Sequence, residues 1–275
     1  MKLTIVAILA SALSFLPASA PCRAKDDPSL PIPDVLQPAV TAAESTGRQL
    51  QRLDRAAWVA SDAIQADRDA RKLRRSVRGW ITEDTELGTR VTFFDDATPA
   101  RLLYAVDVES SGRLTSGALP EDTLADDTQQ AMIRARQSAL SQDFMRCSRT
   151  YNTVAFRADG ALHVYVMAST TKTGVYPAGG HHLFVYDAGG TRLESRRAFT
   201  NGCIDLETGS APQAEGMLFI THLLDRQPTE IHVFVNLAAA VPLIVMTPSL
   251  DDPEEPAIWA VEQGRISLVD AGDDD

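Results

Sequence analysis

The hydrophobic period of the chain changes near Thr89, and this change limits the possible folds more than any other feature. Before it, Leu50, Leu53, Ala57, Ala60 and Ile64 recur at steps of three and four, the spacing of one helix face. After it come short runs rich in β-branched and aromatic residues, alternating with period two and separated by turn residues such as Ala158-Asp159-Gly160 and Gln263-Gly264. Short spacing with hairpin-type turns favours antiparallel pairing. The pattern predicts an α+β protein: an N-terminal helical region followed by a mostly antiparallel β-sheet with one further helix.

The helical region is expected over residues 39–82. Its periodicity resumes at Leu73, Val77 and Trp80, nine residues beyond Ile64. At about 100° per residue that lands on the far side of a straight helix, so the region should kink, divide or be buried on two sides. The arginine-rich stretch between Asp67 and Arg78 reads as a solvated face with pairs such as Asp67–Arg71, or as a docking face for an acidic partner. An α+β domain is expected over 88–270. Its helix should run from Leu124 to about Met145, opened by Thr123 with Asp126 and burying Met132, Ala135, Ala139, Leu140 and Phe144. Strands are predicted at 90–94, 102–109, 153–157, 162–168, 181–186, 192–199, 217–222, 230–236, 243–247, 258–262 and 265–269.

The front of the chain predicts export. Lys2 precedes an apolar run over 3–16, and small residues follow at Ala18, Ser19 and Ala20. This is the layout of a cleaved signal peptide, here residues 1–24, with cleavage after Ala20 or Ala24. A lipid anchor on Cys22 is disfavoured by Pro21 before it. Residues 25–38 hold Pro28, Pro31, Pro33 and Pro38 and read as an extended linker. No later run is long and apolar enough for a transmembrane anchor, so the expected location is periplasmic or secreted. The formal net charge of -11 disfavours nucleic acid as a partner. Asp251, Asp252, Glu254, Glu255 and the tail at 271–275 read as solvated acid clusters without calcium-loop spacing.

In an oxidising compartment Cys147 and Cys203 are expected to form a disulfide. The chain has no Gly-x-Ser-x-Gly, no phosphate-binding glycine loop, no His-Glu-x-x-His and no Cys-x-x-Cys, which disfavours the enzymes built on them. Period-two alternation groups His163 with Tyr165, His182 with Phe184 and Tyr186, and His232 with Phe234. On neighbouring strands, His163, Tyr165, His182, Tyr186 and His232 would form one aromatic and polar ligand patch. Alternatively, His163, His182 and His232 would hold a metal with Glu230 or a water. The simpler reading is polar surface beside aromatic neighbours. Gly179-Gly180 reads as a turn entering a strand.

Two resemblances add to this. Asn201-Gly202-Cys203-Ile204 resembles part of the cysteine-containing segment of L,D-transpeptidases, periplasmic enzymes acting on peptidoglycan stem peptides. That resemblance implies Cys203 as nucleophile with His181 or His182 as base. Asp205 stands where that family has arginine, and Thr200 and Asn201 replace its serine and histidine. A structural disulfide removes this chemistry. Cys147-x-x-x-Tyr151-Asn152-Thr153-Val154, Gly179-Gly180-His181 and Thr229-Glu230-Ile231-His232-Val233-Phe234 are similar to a group of uncharacterised exported proteins of Gram-negative bacteria, over roughly residues 130–260. This implies location and no activity. The leading expectation is a non-enzymatic binding or envelope-associated module, without cofactor, that meets an envelope protein or a small ligand. Behind it stand a cysteine-dependent peptide hydrolase or transpeptidase, and a metal-dependent enzyme.

Overall fold

The computed structural model describes residues 29–208, 216–250 and 255–270. The expected signal segment, residues 25–28, Asp251, Asp252, Glu254 and the acidic tail lie outside the described residues.

The proline-containing segment holds a short strand, β1 (Ser29–Leu30). Helix α1 (Gln37–Ala66) follows, with Pro38 in its first turn, where a missing N–H costs no helical bond. It ends where Asp67 turns extended and its carboxylate accepts bonds from the Asp69 N–H and the Tyr104 hydroxyl, both at 2.8 Å. Those bonds take the place of the expected Asp67–Arg71 pair. Two 3₁₀ turns, Asp69–Arg71 and Leu73–Arg75, lead into β2 (Gly79–Asp84), so the expected helix at Trp80 is corrected to a strand. A meander continues through β3 (Gly88–Phe94), β4 (Leu102–Glu109) and β5 (Leu114–Ala118).

Helix α2 (Asp127–Ser141) is opened by a capping box three residues later than expected, between Asp126 and Gln129. Then come β6 (Tyr151–Ala158), β7 (Ala161–Ala168), β8 (Val175–Pro177), β9 (His182–Tyr186), β10 (Leu193–Ala198), β11 (Asp205–Glu207) and β12 (Leu218–Thr221). Residues 230–236, expected as a strand, form helix α3 (Glu230–Ala239). Ile231, Val233 and Val235 alternate, but Ile231, Val235 and Ala239 also recur at steps of four, and burial on several sides erases the distinction. The decisive local signal is the cap: the Thr229 N–H donates to Nδ1 of His232 at 2.9 Å. The last strands are β13 (Leu243–Pro248), β14 (Pro256–Glu262) and β15 (Arg265–Val269).

The strands form a meander sheet β2-β3-β4-β5, a central sheet β10-β9-β7-β6, an outer sheet β1-β15-β14-β13-β12 and a ribbon β11-β8. Among the described residues β12 and β13 pair parallel and the other ladders are antiparallel, a mostly antiparallel α+β fold. The first half of α1 and all of α3 share a core with the outer sheet and one face of β6 and β7. The second half of α1 packs on the meander sheet. Helix α2 covers the other face of the central sheet. The two helices α1 and α3 cross at Gly47, where a Cβ would stand 2.5 Å from Cβ of Val233 and 2.7 Å from the Glu230 carbonyl oxygen.

Cys147 and Cys203 are joined as a disulfide, Cα to Cα 5.2 Å. It ties the α2–β6 connection to the β10–β11 connection. The Tyr151 hydroxyl accepts from the N–H groups of Cys147 at 2.6 Å and Ser148 at 3.1 Å. Gly180, at φ +79°, lies against this bridge, and a Cβ there would come within 2.5 Å of Cys147 Cβ. Among the described residues no helix is long and apolar enough to cross a membrane.

Candidate functional site

The expected histidine patch does not assemble. His163 and Tyr165 share one face of β7, and Phe156 lies beside both. His182 and Tyr186 on β9 stand opposite Val166 and Leu162, on the other face of the same sheet. There His182 lies 4.7 Å from the ring of Phe144 and donates to the Met145 carbonyl at 3.2 Å, while Tyr186 donates to Ser138 at 2.9 Å. His232 is on α3 rather than on a strand. Burial lowers the pKa of both His163 and His182 from the ordinary imidazole value. Among the described residues no group of three or more His, Cys, Asp or Glu side chains is placed to hold a metal ion.

His232 has other neighbours. Its ring centroid lies 4.7 Å from that of His222, whose Nε2 bonds Asp225 at 2.8 Å. Asp225 also pairs with Arg197; burial raises its carboxyl, but the His222 hydrogen bond and the Arg197 charge outweigh that and hold it below the usual range. Since His232 accepts a backbone N–H at Nδ1, its proton sits on Nε2. His181 donates from Nε2 to the Pro177 carbonyl at 2.9 Å, which leaves Nδ1 a buried acceptor without a partner among the described residues. Desolvation pushes His181 down to about 4 and His232 down to about 3. His181 and His232 are therefore buried neutral imidazoles near neutral pH. With Cys203 held in the disulfide, no thiolate faces His181 or His182, and the transpeptidase-like arrangement is not built.

The arrangement with the most chemical content lies elsewhere, in a cleft of about 590 Å³ between α1, β8 and α3. Asp54 and Trp58, one turn apart on α1, line it with Tyr176 of β8 and Phe234 of α3. Nδ2 of Asn152, on β6, donates to Oδ1 of Asp54 at 2.9 Å. Burial pushes the Asp54 carboxyl up to about 6, and the Asn152 bond opposes part of that rise. Among the described residues no basic side chain pairs with Asp54. Arg52, two residues before it, is taken by Asp84 and Thr89. Trp58 is 63 % exposed although large and apolar. The β7–β8 connection brings Ser169, Thr170 and Lys172 to the rim. The same three residues border a second cavity of about 520 Å³, whose other walls include Ser148, Thr150 and Arg149. His182 borders a smaller cavity of about 390 Å³ with Phe144, Phe184 and Arg196.

Sequence reasoning missed this cleft, although one signal was present. Asp54 stands four residues after Leu50 and three before Ala57, inside the apolar stripe of α1, and Trp58 follows it by four. A carboxylate in an apolar stripe, one turn from a tryptophan, marks a site worth placing. Asn152, Tyr176 and Phe234 carry no comparable local mark, because they reach the cleft through the tertiary fold. No protein-family model, curated protein or solved structure matches the chain.

Proposed function

We propose that the chain is an exported, extracytoplasmic binding module that holds a small ligand in the cleft over Asp54 and Asn152 and carries out no covalent chemistry. One observation carries this reading: a partly desolvated carboxylate without a cationic partner among the described residues lies in a cleft walled by Trp58, Tyr176 and Phe234. Such a group destabilises the empty fold, and perturbed ionisable groups in clefts mark binding and active sites. The disulfide suits an oxidising compartment and agrees with the leader-like first segment. A small ligand is favoured over an envelope protein on α1, because α1 is packed along both halves against other elements of the same chain.

Two measurements test this. Secreted protein analysed by intact mass should lack residues 1–20 or 1–24, and full-length protein retained in the cytoplasm would remove the export half. A fragment screen should give saturable quenching of tryptophan emission that disappears in Trp58→Phe. Ligands whose binding ignores Trp58→Phe and Asn152→Ala would place recognition outside the cleft.

A further inference from the structure

The composition of the cleft narrows its ligand. Among the described residues, the charged side chains lining it are Asp54 and Lys172. Lys172 is exposed on the rim, where water and salt screen it. Asp54 is partly buried, and its one hydrogen bond among the described residues comes from a neutral amide. On α1, Arg52 is engaged by Asp84 and Arg55 is exposed and outside the lining. Of the elements packed around Asp54, β6 presents the Asn152 amide, β8 the Tyr176 phenol and α3 the Phe234 ring. Among the described residues, therefore, no buried cation neutralises the carboxylate, and Lys172 stands only at the exposed rim. Aromatic faces attract cations through their quadrupole, and Trp is the strongest of them. The chain's net charge of -11 adds a long-range field that concentrates cations and repels anions.

We infer, on the premise that the cleft is a binding site, that its ligand carries an organic cation: a substituted ammonium group seated among Trp58, Tyr176 and Phe234, with Asp54 as its counter-ion. The ammonium supplies the missing charge, its alkyl groups cover the apolar walls, and Asn152 holds the carboxylate in place. A neutral ligand leaves the carboxylate unpaired in a partly dry site, and an anion adds repulsion to it.

The experiment is isothermal titration of the whole mature protein with benzyltrimethylammonium, benzyl alcohol and phenylacetate, each up to about 10 mM. Benzyltrimethylammonium is chosen because its charge does not change with pH. It should bind at least about tenfold more tightly than the other two. With Asp54 titrating at about 6, its affinity should be about tenfold weaker at pH 5 than at pH 8. In Asp54→Asn the preference for the cation should vanish while weak binding of benzyl alcohol persists, with the melting temperature confirming the fold. Equal or tighter binding of benzyl alcohol or phenylacetate overturns the ligand class and leaves the cleft standing as a binding site. So does a cation affinity that is flat with pH or unchanged in Asp54→Asn. Absence of saturable binding by all three overturns both readings.

Discussion

Asp54 and the buried imidazoles respond to pH in opposite directions. The Asp54 carboxyl titrates at about 6 in the fold against 3.8 when free. Between these values the unfolded chain has lost its proton and the folded chain has not, so stability falls as pH rises through that window. The full penalty is about 3 kcal/mol, and partial exposure reduces it to about 1–2 kcal/mol. Asp54→Asn keeps an acceptor for Asn152 and removes the ionisation. It should raise the unfolding free energy by about that amount at pH 8 and by little below pH 4, read from denaturant midpoints. His181 and His232 act in reverse. Their folded values of about 4 and about 3 lie below the ordinary 6.5, so the unfolded state binds protons first as pH falls. In the Asp54→Asn background, where the opposing carboxyl is silent, stability should be level above pH 7 and fall steadily between about pH 6 and pH 4. Stability that is flat across that window would show that these imidazoles are already accessible to protons.

The α1–α3 crossing and the disulfide set the cleft walls. Gly47→Ala places a methyl against Val233 and the Glu230 carbonyl, and no flexible side-chain tip can yield there. It should cost about 1–3 kcal/mol despite the higher helix propensity of alanine. Because Trp58 and Phe234 stand on the two helices forced apart, ligand affinity should fall with it. The double variant Cys147→Ala/Cys203→Ala opens a loop with a sequence separation of 56 and should lose about 2–4 kcal/mol in thermal or chemical unfolding. The elements were unevenly legible. The stripe from Leu50 to Ile64 marks α1 because solvent lies on its other side, and the hairpin strands declare themselves through their turns. The sequence of helix α3 reads as a strand because Ile231, Val233 and Val235 are all buried and its cap residue at N3 is the histidine His232. Trp80 carried a helical spacing by coincidence, since Asp67 had already ended the helix.

For the whole molecule, α1 is a shared wall. Its first half belongs to the core of the outer sheet and its second half to the core of the meander sheet. Neither sheet keeps a complete core without it, so the two should unfold together. Trp80 lies on the meander sheet and Trp259 is buried in the outer one. Variants retaining only one of these tryptophans should show coincident denaturation midpoints, and separated midpoints would mean two independent units. The same sharing explains why the candidate site was hidden in the sequence. Asp54, Asn152, Tyr176 and Phe234 come from four elements far apart along the chain and meet only once α1 has docked against both β6 and α3. The sequence showed the α+β class and the cysteine pairing, since these depend on local period and on thiol chemistry. The cleft depends on which surfaces face one another. The pairing of β1 with β15 joins the two ends of the described chain. The earliest described strand finds its partner almost at the far end of the described chain, so trimming either segment would strip the other of their shared ladder and leave an unpaired edge on the outer sheet.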